Sequence, residues 1–221
     1  MATTLTRDVP IDLAHAALLF IDVQNYSAYP DARGSRSETE REALHGYFRR
    51  TLADIALPNM QRLQAACRKA GIEVLYTVIE NLTRDGRDRS LDYKISGIDV
   101  PKGSFGAQVV DEIKQLSDEI VIGKTSSSVF ISTNIDYVLR NLGIRSLIIA
   151  GLLTDQCVDS AVRDACDLGY LVTLVTDACA THSQERHDSS LRNNRGYCRQ
   201  ITTAGMLAEI EALSPLPKTL A

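Results

Sequence analysis

The sequence predicts a doubly wound, Rossmann-like α/β fold, with a mostly parallel six-stranded sheet and helices on both faces. Short apolar runs recur along the chain, and segments with helical spacing of apolar residues separate them. Strands that alternate with helices are typical of a parallel sheet. The chain has 221 residues, 44% of them hydrophobic, with no internal repeat and no low-complexity linker. We therefore expect one domain over residues 1–221.

The apolar runs and the periodic segments fix the order of the elements. The runs predicted to be strands are 16–24, 72–79, 119–124, 146–153, 170–178 and the start of 199–210. The segments predicted to be helical are 31–57, 58–71, 134–143, 154–169, 183–197 and the end of 199–210. Pro58 suits a first helical turn, and Gly71 suits a helix end. The polar segment 80–106 is long for a loop in a compact domain, and such loops are often functional.

Composition argues against several classes of partner. The 24 Lys and Arg against 28 Asp and Glu give a net charge of −4, and no basic stripe appears. Nucleic acid and anionic membranes therefore gain no support. The N-terminal residues lack the apolar core of a signal peptide. No window approaches the ~20 apolar residues of a spanning helix. We expect a cytoplasmic protein.

The five cysteines raise the question of what Cys157 does, because it follows an apolar run and begins a helical pattern. It is a core residue, a metal ligand, a disulfide partner or a nucleophile. The odd count and the absence of a C-x-x-C motif argue against a disulfide framework and a structural zinc site. We interpret Cys67 and Cys166 as core residues. Cys179 also follows a strand end and is the one rival to Cys157.

Chemically useful side chains stand at the predicted carboxyl ends of three strands. Asp22, Lys124 and Cys157 hold these positions, and sites in open parallel sheets form at this edge. A helix start and an ammonium group favour a thiolate, so we expect an exposed thiol with a lowered pKa. A carboxylate can accept its proton, and backbone N–H groups can hold an oxyanion. Taken singly, each residue is also compatible with a turn, a surface charge or a small buried hydrophobe.

Three segments resemble the isochorismatase-like cysteine hydrolases. They are LLFIDVQN, GKTSSSVFISTNIDYVLRNLGI and IIAGLLTDQCVDSAVRDACDLGY, and the likeness runs from Ala16 to Ile201. The third carries the family's nucleophile signature, Gly-x-x-Thr-Asp-x-Cys-Val. The resemblance implies that Cys157 is the nucleophile, Asp22 the general acid and base, and Lys124 the support for their charges. It also implies a cis peptide bond before Leu153, which would direct the N–H groups of Leu153 and Cys157 at the oxyanion.

Missing residues narrow the subfamily. The family's nicotinamidases carry an Asp-x-His…His metal set after the second strand, whereas residues 77–94 contain no histidine. True isochorismatases lack the cysteine. The resemblance thus implies the metal-free amidohydrolases that act on biuret, triuret, ureidoacrylate or N-carbamoylsarcosine, with no cofactor. A nicotinamidase, an isochorismatase and a non-catalytic binding protein of this fold remain alternatives. Family members usually assemble, so we expect a homodimer or homotetramer.

Substrate contacts are harder to assign from the sequence. Loop solvation or helix capping explains the candidate polar residues equally well. Phe130 is interpreted as a packing residue, while His182 and His187 fall at a surface or a helix start, with His182 able to face a pocket mouth. The candidate substrate-binding residues are Tyr26, Tyr29, Glu80, Asn81 and Ser128.

Overall fold

The computed structural model describes residues 5–30 and 37–214. Its sheet has six strands in the order β3-β2-β1-β4-β5-β6, and each described pairing is parallel. The predicted fold class is therefore confirmed. The strands are β1 (Ala16–Ile21), β2 (Glu73–Ile79), β3 (Ile120–Lys124), β4 (Ser146–Leu152), β5 (Leu171–Ala180) and β6 (Arg199–Ile201).

Helices connect the strands and cover the sheet. In the described part of the chain, none of them has the length and apolar character needed to cross a bilayer. The α-helices are α1 (Asn25–Ala28), α2 (Glu38–Thr51), α3 (Leu57–Ala70), α4 (Leu91–Ile95), α5 (Val129–Ser132), α6 (Ile135–Asn141), α7 (Asp159–Asp167), α8 (Gln184–Asn194) and α9 (Thr203–Leu213).

Alternating side chains of β1 build the core on both faces of the sheet. Leu18 and Phe20 pack into one apolar cluster, which includes Met60 of α3 and Met206 of α9. Leu19 and its neighbours Ala17 and Ile21 pack into the other cluster, with α6 and α7. Successive strand residues point to opposite faces, so a strand covered on both sides reads as an unbroken apolar run.

Pro58 stands in the first turn of α3, as predicted, but the helical backbone does not begin there. Helix α2 continues through a π-helical turn, Leu52–Ala56, directly into α3. A proline ring inside a helix clashes with the carbonyl four residues earlier. The wider π turn, in which Leu57 N–H bonds Leu52 O, changes the backbone just where Pro58 follows. The helix then ends at Gly71, as predicted, with φ 71°.

The strand order reverses between β1 and β4, which lie side by side at the centre of the sheet. In open α/β sheets, ligands bind beyond the carboxyl ends of the strands at such a switch point. The two chains approach closely there: a Cβ on Gly151 would lie 2.2 Å from Ile21 O. Glycine at 151 thus allows the ends of β1 and β4 to come together, immediately before Asp22 and the Cys157 turn.

Candidate active site

Asp22, Lys124 and Cys157 meet at the carboxyl edge of the sheet. Lys124 Nζ lies 2.8 Å from Asp22 Oδ2 and 3.4 Å from Cys157 Sγ. The ion pair is sealed from solvent, with 0% of the lysine and 1% of the aspartate side chain exposed. Cys157 is 7% exposed. The predicted convergence is therefore present, while the catalytic roles of the three residues stay predictions.

Asp22 is held by the neighbouring strand. It directly follows β1 and has a φ of 52°, which is uncommon for a residue other than glycine. Its N–H donates to Thr77 O at 3.1 Å, and Thr77 Oγ1 donates to Asp22 Oδ1 at 2.8 Å. The hydroxyl of β2 thus fixes one carboxylate oxygen and turns the other, Oδ2, toward Lys124.

Lys124 is surrounded by acceptors. Besides its ion pair with the Asp22 carboxylate, Nζ donates to Ser126 O at 2.8 Å and to Tyr93 Oη at 3.0 Å. Burial acts to lower the pKa of Lys124, but the Asp22 carboxylate and then Cys157 and Tyr93 raise it more, so the net shift is above its usual value. The amine is therefore an ammonium at neutral pH.

The turn that carries Cys157 begins with a cis peptide bond between Leu152 and Leu153, as the resemblance implied. A π-helical turn, Thr154–Val158, follows and leads into α7. Leu153 O accepts from the N–H groups of Gln156 at 3.0 Å and Val158 at 3.3 Å, so the turn folds back on itself. That the N–H groups of Leu153 and Cys157 hold an oxyanion stays a prediction.

The resting thiol differs from the expectation. Burial, followed by the Asp22 carboxylate, raises the pKa of Cys157 to about 12, although Lys124 acts in the opposite direction. The prediction of an exposed thiol with a lowered pKa is therefore wrong. Removing water disfavours the charged sulfur, and an anion beside it adds to that effect. The site thus holds a neutral thiol against a Lys–Asp ion pair.

Sequence reasoning missed Tyr93 and Gln24. The Tyr93 phenol bonds Lys124 and lies 3.9 Å from Cys157 Sγ. Gln24 is fully buried, and its amide clasps both ends of the segment 80–106: Nε2 donates to Ile79 O and Gly106 O, while Oε1 accepts from Ile79 N–H. The length of the polar segment was the available signal for Tyr93, and a glutamine within the apolar run 16–24 was the signal for Gln24.

Two of the proposed substrate-contact residues have side chains engaged elsewhere, and substrate contact by them stays a prediction. Tyr29 is exposed, and its hydroxyl donates to Glu112 at 2.7 Å. Ser128 caps α5 through Ile131 N–H, and its hydroxyl bonds Asp164 of α7. The aromatic residue Tyr29 follows the short helix α1 outward, and the serine performs the capping function that its residue type favours.

The other proposed contacts lie in or beside the segment 80–106. Tyr26 packs against the small apolar cluster that contains Tyr93. Glu80 accepts from Gly103 N–H at 2.7 Å, and its own N–H donates to Lys124 O. Asn81 is buried and donates to Asp99. Glu80 and Asn81 therefore shape the segment beside the site, and substrate contact by these three residues stays a prediction.

The remaining cysteines are packing residues to different degrees. Cys67 is buried in the core, as predicted, whereas Cys166 is only half-buried, because its position on α7 faces the edge of the apolar face. Cys179, the rival nucleophile, is buried on β5, and burial raises the pKa of its thiol to about 12. Among the described residues, no ion pair lies beside Cys179 as the Lys124–Asp22 pair lies beside Cys157.

Two further residues bear on the sequence interpretations. Phe130 is buried and packs near the Tyr170 ring, as expected. His182 packs against the rings of His45 and Phe48, which belong to α2.

Across residues 5–30 and 37–214, histidine, cysteine and carboxylate side chains form no group of three or more that could hold a metal ion.

Comparison with known proteins identifies the family. The isochorismatase domain family matches residues 16–206. The chain belongs to the isochorismatase family. An Arabidopsis thaliana relative named a probable inactive nicotinamidase is 33% identical, covering 80% of this chain and 86% of its own. Ureidoacrylate amidohydrolase RutB of Rhizobium rhizogenes is 31% identical, covering 80% and 75%. A cysteine hydrolase structure from Pseudomonas syringae shares the fold with a TM-score of 0.78 at 23% identity, covering 96% and 99%. The family match and the relatives named as amidohydrolases together show that this chain is an isochorismatase-family hydrolase.

Proposed function

We propose that this protein hydrolyses a C–N amide bond in a small linear ureido or carbamoyl compound through a covalent acyl-cysteine. The observation that carries the proposal is the contact of Lys124 Nζ with both Asp22 Oδ2 and Cys157 Sγ at the carboxyl edge of the sheet. A thiol, a carboxylate and an ammonium in contact are the parts that nucleophilic attack on a carbonyl carbon requires.

The resting protonation states define the order of steps. Asp22 first takes the thiol proton of Cys157, while Lys124 balances the charge that moves from carboxylate to sulfur. The thiolate attacks the carbonyl carbon, and the N–H groups of Leu153 and Cys157 hold the oxyanion. Asp22 then gives its proton to the departing nitrogen, which leaves as ammonia or an amine.

Water completes the cycle. Asp22, again a carboxylate, takes a proton from a water molecule that attacks the acyl carbon. The tetrahedral intermediate then releases the acid and the Cys157 thiolate, and Asp22 returns its proton to the sulfur. With a ureido substrate the released acid is a carbamate, which loses carbon dioxide. Every proton in this scheme passes through Asp22, so no metal or organic cofactor is required.

The choice of amide is supported by the relatives. One of them is named a ureidoacrylate amidohydrolase, which favours ureido compounds over other amides. Another is named a probable inactive nicotinamidase, so nicotinamide hydrolysis and a non-catalytic role both need a direct test. The contact of Cys157 with an ion pair favours a catalytic protein, since a binding protein has no need of a thiol there.

The test measures ammonia release from biuret, triuret, ureidoacrylate, N-carbamoylsarcosine and nicotinamide. We expect turnover of at least one ureido or carbamoyl compound without added metal, and loss of that turnover in Cys157→Ser with the fold intact by circular dichroism. Turnover of nicotinamide alone, with zinc or iron required, would identify a nicotinamidase. Near-normal rates in Cys157→Ser would remove the proposed nucleophile.

We further propose a cytoplasmic homodimer or homotetramer whose only ligand at this site is the small amide. Light scattering coupled to size-exclusion chromatography tests the assembly, and a monomer at all concentrations would contradict it.

A further inference from the structure

Tyr93 is the one side chain besides Asp22 and Lys124 whose polar atom reaches the Cys157 sulfur among the described contacts. It is buried, its Oη accepts from Lys124 Nζ at 3.0 Å, and Oη lies 3.9 Å from Cys157 Sγ, within reach of a hydrogen bond to sulfur. The phenol therefore bridges the ammonium and the proposed nucleophile.

The position of the phenol is set by the backbone. Helix α4 starts after Ser90, whose N–H donates to Thr125 O at 2.9 Å, directly after the end of β3. Ser90 Oγ in turn accepts from Tyr93 N–H at 3.2 Å. Because Gln24 ties both ends of the segment to the sheet edge, the ring of Tyr93 is carried to Lys124 by fixed backbone.

The hydrogen-bond donors near Cys157 show what the Tyr93 phenol can add to the site. An ammonium has three protons, and the hydrogen bonds of Lys124 Nζ use all three: to Ser126 O at 2.8 Å, to Tyr93 Oη at 3.0 Å and to Cys157 Sγ at 3.4 Å. Asp22 Oδ2, 2.8 Å from Nζ, is the charge partner and has no hydrogen bond of its own. When the thiol gives its proton to Asp22, Lys124 offers the new thiolate one donor, and the O–H of Tyr93 is within reach as a second.

We infer that Tyr93 is a positioning residue that holds Lys124 Nζ and donates its O–H to the thiolate of Cys157. The inference rests on the proposed nucleophilic role of Cys157. No proton leaves the phenol: the Sγ proton passes to Asp22, and the O–H of Tyr93 only turns toward the sulfur. Burial raises the pKa of Tyr93 above its usual range, so the phenol keeps its proton throughout.

The test is thiol alkylation, which needs no substrate. Iodoacetamide modification of Cys157 is followed between pH 7 and 10 by mass spectrometry of the tryptic peptide 146–163, in which Cys157 is the single cysteine. Tyr93→Phe removes the donor and keeps the ring. We expect the alkylation rate to fall on the order of tenfold at each pH, the effect of one hydrogen bond to a charged group.

Tyr76→Phe is the matched control. Tyr76 is equally buried, and its hydroxyl bonds Arg68, Gln64 and Glu119 rather than the site. We expect this variant to leave Cys157 alkylation unchanged. An unchanged alkylation rate in Tyr93→Phe, or an equal loss in both variants, would overturn the inference. A structural role alone would lower the unfolding midpoint without displacing the alkylation curve to higher pH.

A second variant covers the case in which Tyr93→Phe does not fold. Fluorotyrosine incorporated at position 93 keeps the phenol and makes it a stronger donor, so Cys157 alkylation should accelerate; slower or equal alkylation would contradict the inference. The two proposals fail separately. Turnover that survives in Cys157→Ser would contradict the proposed function. An alkylation rate that is unchanged in Tyr93→Phe would contradict only the proposed role of the phenol.

Discussion

Two clusters of the same chemical type stand near the two ends of β3. At its carboxyl end, Lys124 pairs with Asp22 and bonds the phenol of Tyr93. Just before its first residue, Glu119 pairs with Arg68 at 2.8 Å and accepts from the phenol of Tyr76 at 3.1 Å. Each cluster therefore contains a cation, a carboxylate and a tyrosine.

The two clusters differ in whether a reactive side chain contacts the ion pair. Both oxygens of Glu119 are engaged, Oε1 by Arg68 and Oε2 by Arg68, Tyr76 and Leu116 N–H. In the Lys124 cluster, the ion pair is fully sealed from solvent and faces the Cys157 sulfur. An ion pair that contacts a phenol can therefore serve a purely structural role. A thiol on a helix-starting turn at the carboxyl edge makes it a candidate catalytic site.

The largest expected difference between the clusters is in turnover. Asp22→Asn removes the proposed proton acceptor, so kcat/KM should fall by about 10²–10⁴-fold, the usual contribution of general acid–base catalysis. Glu119→Gln alters a carboxylate of the other cluster and should leave kcat/KM unchanged. Ammonia release by both folded variants measures this. Equal losses would mean that the two carboxylates do not differ in function.

Loss of the cation should lower the free energy of unfolding more in the Lys124 cluster than in the Arg68 cluster. Lys124→Met leaves the sealed Asp22 carboxylate without its partner, and breaking a buried pair costs about 3–5 kcal/mol of the free energy of unfolding. Arg68→Met should cost about 1–2 kcal/mol, because 27% of the Arg68 side chain and 11% of Glu119 are exposed to water. Urea unfolding at neutral pH gives both values. A smaller loss for Lys124→Met than for Arg68→Met would contradict this account of burial.

The Cys157 thiol should behave as a protonated group in the absence of substrate. Because burial and Asp22 raise its pKa to about 12, the alkylation rate should climb about tenfold per pH unit from pH 7 to 10. Cys157→Ser supplies the blank for this measurement. A plateau of the wild-type rate near pH 7 would mean that the thiolate already exists in the resting protein.

The smallest effect concerns the acid stability of the Glu119 cluster. Burial acts to raise the pKa of Glu119, but hydrogen bonds from Arg68, Leu116 N–H and Tyr76 outweigh it, and the net shift is downward. A lowered pKa stabilises the fold above the unfolded value, about 4.3, and that contribution is lost as pH falls through the folded value.

Comparison of the wild type with Glu119→Gln isolates this contribution. The gap between their free energies of unfolding should be about 1 kcal/mol at pH 7 and should narrow as pH falls below about 4.3, the unfolded value. Urea unfolding from pH 7 to pH 3.5 measures it. A gap that stays constant with pH would show that the carboxylate charge is not what stabilises this cluster.

Strand positions and the convergence of Asp22, Lys124 and Cys157 could be predicted from the sequence, because parallel strands are apolar throughout and end at one edge. Local pattern could not show that α2 runs on into α3, since Pro58 is an ordinary helix-start residue and only the π turn before it lets the helix continue.

Contacts across the fold were the part that the sequence left open. Tyr93 reaches Lys124 only because Ser90 and Gln24 fix a polar segment whose path no periodicity encodes. The pKa of Cys157 was predicted in the wrong direction for the same reason. Helix start and ammonium are visible along the chain, but burial and the distance to Asp22 depend on the packed structure.

The most direct test of the proposed mechanism is to quench the reaction during turnover and measure the mass of the tryptic peptide 146–163 by mass spectrometry. With the ureido or carbamoyl compound that the protein hydrolyses best, acid quenching in the first turnover should trap that peptide with the mass of the acyl group added to Cys157. Steady ammonia release with this peptide unmodified at every quench time, or an acyl group found on another cysteine, would contradict it.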